Sequence, residues 1–303
     1  MPAILSLKLD KIFFPKLIKD VYKFEALSAE QSAWRMAQEE KRVVMHDLFA
    51  GLLQATDPET GVGFTEEENI SEAGLLIIAG SDTMATGITS TIFYLLHYPN
   101  SLTGCQNEIR SVFKDVEEIR VGQKLSSCVY LMACLNEAMR LTPGVGGILP
   151  RETLKGGIIV DGEYFPERVD LGVPHYAIQH NGEYFPDPFV FKPARWILQG
   201  EVDGIEGVTP ESLAIANSAF CPFSHGRASC VGKTIAYQEM SIILARIIWL
   251  YDMRLAAGAA GRIGEGSERY GYGRKIKNEF QVLDNFTSRH NGPMVEFKNA
   301  AHV

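Results

Sequence analysis

The sequence predicts a mainly α-helical fold with a minor β component, and three observations support this class. Helical periodicity runs through most of the first 140 residues, including a proline-free stretch of about 30 residues. Between about 143 and 180, short β-type runs alternate with turn signals. A further apolar stretch with helical spacing lies at 231–250.

The helices of the first part can be bounded from their flanking residues. Residues 26–55 form one helical stretch that ends at the turn sequence TDPETGVG. Thr65 and Glu68 form a capping box, and the long helix that they begin is predicted over about 66–97, because Pro99 would stop it. The stretch LLIIA in this helix is apolar on all sides, so we expect the helix to cross the middle of the molecule.

The rest of the chain is predicted to mix helices with short strands. Helices are expected at about 100–115 and 125–141, before the glycine-rich segment TPGVGGILP. A β-rich part follows over about 143–180, and the last long helix covers about 231–250.

The tail is predicted to form a hairpin over about 279–297. We expect its turn at Asn291 and Gly292, because Asn-Gly favours the tight turns of hairpins.

Composition excludes several classes of protein. A chain of 303 residues with 46% hydrophobic residues can bury a large core. A net charge of -8 provides no basic surface, so nucleic acid is not an expected partner. Five cysteines without a C-x-x-C pair favour a reducing, intracellular setting. Charges and prolines interrupt the N-terminal segment too early for a signal peptide or a membrane span, and no span is expected elsewhere.

One cysteine, Cys230, lies between two glycines just ahead of the last long helix, in the segment PFSHGRASCVGK. Unpaired N–H groups at a helix start stabilise a thiolate, which is a nucleophile or a metal ligand. Gly226 permits a tight turn, and Gly232 permits a flat group to approach the backbone. Phe223 can supply an aromatic wall.

From the residues alone, three other roles for this cysteine stay open. A cysteine in apolar surroundings is most often an inert small hydrophobic residue. A zinc site would use Cys221, His225 and Cys230, although this spacing is unusual and no fourth ligand is evident. Nucleophilic catalysis would need a histidine base close in space.

Four upstream motifs also carry candidate chemistry. In AGSDT, the small Ala79 and Gly80 precede Asp82 and Thr83, an acid and a hydroxyl that could relay protons. The plain alternative is that Asp82 and Thr83 are ordinary residues of a helix surface, with Thr83 bonded to the previous turn.

The motif NEAMR places Glu137 and Arg140 on one helix face, where they can pair, although most such pairs are solvated surface pairs. Downstream, FKPARW contains Arg195, and LPR places Arg151 near the start of the β-rich part.

The segment 222–232 resembles the cysteine-ligand loop of the cytochrome P-450 superfamily of haem-thiolate monooxygenases, whose pattern is F-x-x-G-x-R-x-C-x-G. The phenylalanine, the two glycines and the cysteine match. The arginine departs, because Ala228 stands in its place and Arg227 lies one position too early. The other motifs resemble the family's oxygen-activation, E-x-x-R and F-x-P-x-R-W motifs and occur in the family's order. The sequence as a whole most resembles fungal members.

The resemblance implies a role for each motif. Cys230 would be the axial ligand of the iron of haem b (iron protoporphyrin IX), Ala79 and Gly80 would leave room above that iron, and Asp82 and Thr83 would deliver protons to bound O2.

Further residues would hold the cofactor or its loop. Arg151 would bind a haem propionate, unless it is an ordinary surface arginine. The cofactor-binding set would also include Phe223, Gly226, Arg227 and Gly232, and the loop would be locked by a buried network of Glu137, Arg140 and Arg195.

The implied reaction inserts one oxygen atom from O2 into a lipophilic small molecule, in secondary metabolism or xenobiotic oxidation. Electrons would come from NADPH through an NADPH-cytochrome reductase. Substrate contacts are expected from Ile77 to Thr83, from Gly144 to Leu149, and from Phe286 and Thr287.

The resemblance also implies that residues 1–303 form a single partial domain, the C-terminal part of the family's fold. Family members are typically anchored in the endoplasmic reticulum membrane, and no anchor is expected in this chain. The alternative function is a truncated, non-catalytic remnant with weak or no haem binding.

Overall fold

The computed structural model describes residues 15–41 and 47–301. They fall into two compact units, one made of the described residues up to Ser81 and the other starting at Asp82. The helices dominate both units, and the strands of the described residues lie in the second unit. The predicted class, mainly α with a minor β component, is confirmed. The predicted single domain over 1–303 stays a prediction.

Two helices open the first unit. Helix α1 spans Pro15–Glu40 and helix α2 spans Leu48–Gln54. Asp47 caps α2, because its carboxylate accepts a hydrogen bond from the backbone N–H of Ala50 at 2.8 Å. Arg35 of α1 donates to the same carboxylate at 2.9 Å, and this hydrogen bond is the main cause that lowers the pKa of Asp47.

The prediction of one continuous helix over 26–55 is therefore wrong at Asp47, whose extended backbone precedes a new helix. Residues 42–46 of that stretch, and the N-terminal segment before Pro15, lie outside the described residues.

Helix α3 spans Glu66–His97, as the capping box and the following proline predict. The backbone N–H of Thr65 donates to Glu68 at 2.7 Å, and the N–H of Glu68 donates to the Thr65 hydroxyl at 3.3 Å. Leu75 of the LLIIA stretch is 58% exposed, and Ile77 and Ile78 are about half exposed. The expected burial of this stretch is wrong for these three side chains.

The physical reason is that the described part of the first unit covers one face of this stretch. That face carries Gly74, where a side chain would approach the Ser28 hydroxyl of α1 to 3.3 Å.

By length and composition, α3 is long and apolar enough to cross a membrane, although no such segment was expected from the sequence. Phe93 and Leu95, in its second half, are fully buried in the core of the second unit, although only 22% of its apolar 18-residue window is buried.

The second unit contains the remaining helices. Glu108 on the first of them accepts hydrogen bonds from the backbone N–H groups of Tyr130 and Leu131, both at 2.8 Å. Because these N–H groups belong to the first turn of the E-x-x-R helix, this helix starts later than the predicted residue 125. The helices are α4 (Pro99–Val112), α5 (Gln123–Ser126), α6 (Val129–Leu141), α7 (His175–Gln179), α8 (Pro210–Ala219) and α9 (Lys233–Leu250).

The described strands pair as four antiparallel two-stranded sheets. The pairs are β1 (Arg151–Glu152) with β4 (Asp170–Leu171), β2 (Ile158–Val160) with β3 (Glu163–Phe165), β5 (Tyr251–Leu255) with β8 (Val295–Asn299), and β6 (Val282–Asn285) with β7 (Thr287–His290).

The tail contains a hairpin, but its turn differs from the predicted one. The β6–β7 hairpin turns at Phe286, which has a φ of 74°, and not at Asn291 and Gly292. Gly292 is needed for another reason, because a side chain there would lie 2.5 Å from the carbonyl oxygen of Ile263. The Asn-Gly pair thus leads the chain from the hairpin to β8, which pairs with β5.

His180 makes the stability of the second unit depend on pH. Burial lowers the pKa of His180 from 6.5 to about 4, since the carbonyl of Tyr176, 2.8 Å from Nδ1, only partly offsets the burial. The unfolded chain therefore takes up a proton before the folded chain does. We expect the free energy of unfolding to fall by on the order of 3 kcal/mol between pH 6.5 and pH 4 on account of this residue.

Urea unfolding at pH 7 and at pH 4.5 measures this loss. His180→Gln should reduce it by most of this amount, and an unchanged difference between the two pH values would refute the assignment to His180.

Candidate functional site

The segment 222–232 forms a loop held by its own backbone. The N–H of Cys230 donates to the carbonyl of Phe223 at 2.9 Å, and the N–H of Ser224 donates to the carbonyl of Cys221 at 2.9 Å. Gly226 has a φ of 75°, which favours glycine, as its predicted turn requires. Cys230 is exposed, whereas the other four cysteines are buried. The loop thus presents the accessible thiol of the chain.

The space beside this thiol is open. If Gly232 carried a side chain, its Cβ would lie 3.7 Å from Cys230 Sγ, and apart from the chain neighbours no other heavy atom of the described residues would lie within 4 Å. Phe223 is partly buried on the protein side of the loop, with its ring 5.2 Å from that of Tyr237. A soft sulfur donor beside a glycine backbone fits a flat iron macrocycle on this side.

The zinc and inert-core interpretations of this segment are wrong. Within residues 15–41 and 47–301 no group of three His, Cys, Asp or Glu side chains could hold a metal ion. Cys221 is buried, whereas His225 and Cys230 are exposed, so the three proposed zinc ligands do not share one environment. The exposure of Cys230 also excludes a packing role.

Glu137 is the centre of a buried ion-pair network. Its carboxylate accepts two hydrogen bonds from Arg140 and one from Arg195, each at 2.9 Å. It also accepts hydrogen bonds from the Trp196 indole at 2.9 Å and from the backbone N–H of Lys192 at 3.0 Å. Burial alone would raise the pKa of Glu137, but the adjacent guanidinium groups outweigh burial and lower this pKa.

The two arginines extend the network into the backbone. Arg140 donates to the carbonyls of Gln179 and Pro188, both at 2.7 Å, and Arg195 donates to the carbonyl of Pro186 at 3.0 Å. The three residues predicted to pair are thus in contact, with no water-exposed charge on Glu137 or Arg140. Sequence reasoning missed Gln179, for which the sequence has no signal, and Trp196, although it follows Arg195 in FKPARW.

Asp82 and Thr83 lie on α3 at the start of the second unit. The Thr287 hydroxyl of the tail hairpin donates to the Asp82 carboxylate at 3.3 Å. A side chain at Gly144 would approach Thr83 Cβ to 3.1 Å, so the loop after α6 packs directly on Thr83. The Asp82 carboxylate and the Cβ and methyl side of Thr83 therefore lie against two of the segments predicted to contact substrate.

Ser288 of the tail hairpin forms hydrogen bonds with both the loop after α6 and α3. Its N–H donates to the carbonyl of Gly144 at 2.8 Å, its hydroxyl donates to the carbonyl of Pro143 at 2.8 Å, and its own carbonyl accepts from Thr86 at 3.1 Å. Ala79 and Gly80 precede on α3, at the end of the first unit.

Arg151 and Arg227 are exposed. Arg151 donates to its neighbouring carbonyl at Pro150 at 2.9 Å, and Arg227 lies in a short 3-10 turn of the loop. In the described part of the chain neither residue forms a salt bridge with a carboxylate. Their predicted role toward haem propionates stays a prediction.

Comparison with known proteins identifies the relatives of this arrangement. Residues 8–264 match the family model described as Cytochrome P450. The chain is 38% identical over 97% of its length to the cytochrome P450 monooxygenase AKT7 of Alternaria alternata and 37% identical over 98% to apf7 of Gibberella fujikuroi, and it covers 55% of each relative. It is 33% identical to lcsN of Purpureocillium lilacinum, of which it covers 83%.

The chain therefore spans about half the length of the first two curated relatives. Among solved structures, the retinoic acid bound cyanobacterial CYP120A1 matches 91% of this chain and 56% of its own, with a TM-score of 0.71 at 21% identity. This likeness concerns the fold.

Proposed function

Because this chain belongs to the cytochrome P450 family, we propose that it acts as a haem-thiolate monooxygenase, which inserts one oxygen atom from O2 into a lipophilic small molecule. The observation that carries the proposal is the loop of Cys230, the accessible thiol of the chain, which is joined through Gln179 to the buried Glu137 network. The relatives are fungal monooxygenases, which supports a role in secondary metabolism.

The proposed cofactor is haem b, held by the sulfur of Cys230. When bound, haem supplies the oxygen-activating chemistry of the family, to which a thiolate ligand donates electron density. Gly232 leaves the backbone open to the ring, and Phe223 supports the loop from the protein side. Arg151 and Arg227 are the proposed partners of the propionates.

Asp82 and Thr83 are the proposed proton-delivery pair. The Asp82 carboxylate is exposed and accepts a hydrogen bond from the Thr287 hydroxyl at 3.3 Å, so it lies between the tail hairpin and water. Thr83 is the next residue in the chain, and its hydroxyl would be the last proton donor.

The proposed substrate is lipophilic, because the residues predicted to contact it are mostly apolar or small. In the second unit, Ile148 is about half exposed and Phe286 is 68% exposed. We further propose NADPH-cytochrome reductase as the electron donor and an intracellular, membrane-associated setting, as the resemblance to the family implies.

The names of the relatives do not favour a non-catalytic remnant. The test is to add haemin to the purified full chain and to record the reduced spectrum with and without carbon monoxide. A thiolate-type band is the expected result, and a chain that gives no such band contradicts the proposal.

Phe286, a predicted substrate contact, is expected to lower the free energy of unfolding. It is a bulky residue held at a φ of 74° in the hairpin turn, so Phe286→Gly should raise the free energy of unfolding by about 1 kcal/mol. Urea unfolding measures this gain. Tyr272→Gly is the matched control, because Tyr272 is fully exposed without a positive φ, and it should give no gain. A loss of stability in Phe286→Gly would show that the ring stabilises the turn.

A further inference from the structure

Gln179 joins two parts of the second unit through one side chain. It is the last residue of α7 and is fully buried. Its side-chain amide donates to the carbonyls of Met139 and Arg140, at 3.3 and 3.1 Å. Its side-chain oxygen accepts a hydrogen bond from the backbone N–H of Cys221 at 3.0 Å. Gln179 thus bridges the end of α6 and the residue just before the loop 222–232.

The ion-pair network holds Gln179 from the other side. Arg140 donates to the backbone carbonyl of Gln179 at 2.7 Å while its other nitrogens bind Glu137. Both the backbone and the side chain of Gln179 are therefore fixed by the end of α6. Such charge-assisted hydrogen bonds in a buried setting are short and strongly directional.

The same path continues to the sulfur ligand. The Cys221 carbonyl accepts from the N–H of Ser224, and the carbonyl of Phe223 accepts from the N–H of Cys230. A shift of Cys221 would therefore move Ser224 and, with it, the adjacent Phe223, whose carbonyl holds the N–H of Cys230.

We propose that Gln179 is a positioning residue for the loop of Cys230. It transmits the fixed position of Glu137 and Arg140 to Cys221, and so determines where the loop begins. The proposal rests on the proposed function, in which this loop holds haem. Without the Gln179 oxygen, the buried N–H of Cys221 loses its acceptor, which is costly for a buried donor.

Thiol accessibility in the full chain tests this connection without using activity. A water-soluble aromatic disulfide should label one thiol of the native wild-type chain, Cys230, because the other cysteines are buried. Gln179→Met keeps the side-chain volume but removes both sets of hydrogen bonds. In this variant we expect Cys221 to become the second labelled thiol, identified by mass spectrometry, while Cys105 and Cys134 stay protected.

Gln238→Met serves as the control. It changes an exposed glutamine of α9 and should leave one labelled thiol. Protection of Cys221 in Gln179→Met would overturn the proposal.

If Gln179→Met unfolds and exposes every thiol, hydrogen exchange of the wild-type chain decides. The Cys221 amide should then exchange roughly tenfold or more slowly than the amide of the exposed Val231, and equal rates would overturn the proposal.

Haemin titration separates this proposal from the proposed function. Gln179→Met should weaken haemin binding roughly tenfold or more relative to wild type. A wild-type chain with no thiolate-type spectrum would refute the haem assignment, whereas the labelling result would still report on Gln179 alone.

Discussion

Glu137→Gln is expected to lower the free energy of unfolding by about 3–5 kcal/mol, because it leaves two buried guanidinium groups without their carboxylate. Glu137 and Arg140 have no exposed side-chain surface, and Arg195 is 6% exposed. Water therefore cannot replace the lost interactions in the folded chain. Urea unfolding at neutral pH measures the loss.

Glu118→Gln is the matched control, because Glu118 pairs with Lys124 on the surface, at 2.6 Å. Exposed pairs contribute about 0–1 kcal/mol, so the control should stay close to wild type. A loss below about 1 kcal/mol in Glu137→Gln would mean that the network can be replaced by neutral hydrogen bonds. Since the pKa of Glu137 is lowered, its contribution is present at neutral pH and is lost as the pH falls through this folded-state pKa.

Cys230→Ser is expected to abolish the thiolate-type band of the reduced, carbon monoxide-treated chain. A serine hydroxyl is far less acidic than a thiol and its oxygen donates less electron density to iron. Because Cys230 is exposed and packs against little, the substitution should leave the free energy of unfolding within about 0.5 kcal/mol of wild type. The measurement is the difference spectrum after reconstitution with haemin.

Cys128→Ser is the control with the same chemical change. Cys128 immediately precedes α6, and its thiol donates to the carbonyl of Lys124 at 3.4 Å, a hydrogen bond that a serine hydroxyl can also make. This variant should keep the band. If Cys230→Ser keeps the band as well, another residue is the ligand.

The parts of the structure that follow from local rules could be predicted from the sequence. The capping box at Thr65 and Glu68 and the stop at Pro99 bound α3 at both ends, because these signals act within one turn. The i, i+3 spacing of Glu137 and Arg140 likewise places both groups on one helix face.

What depends on contacts between distant segments could not be predicted. The break at Asp47 depends on Arg35, twelve positions away, and the late start of α6 depends on Glu108 of α4. The hairpin turn at Phe286 runs against backbone preference, since an Asn-Gly pair lies five residues later. Gln179 has no local signal, because its three partners are two residues of α6 and Cys221, just before the loop of Cys230.

The indole of Trp196 gives the chain a natural optical probe. The sequence has three tryptophans, Trp34, Trp196 and Trp249, and Trp196 is the one whose N–H donates to Glu137. Trp34 is 54% exposed, whereas Trp249 is buried and donates to the carbonyl of Phe113. In the double variant Trp34→Phe, Trp249→Phe, the emission wavelength and lifetime of the Trp196 fluorescence would therefore report on the charge of Glu137 beside its indole ring.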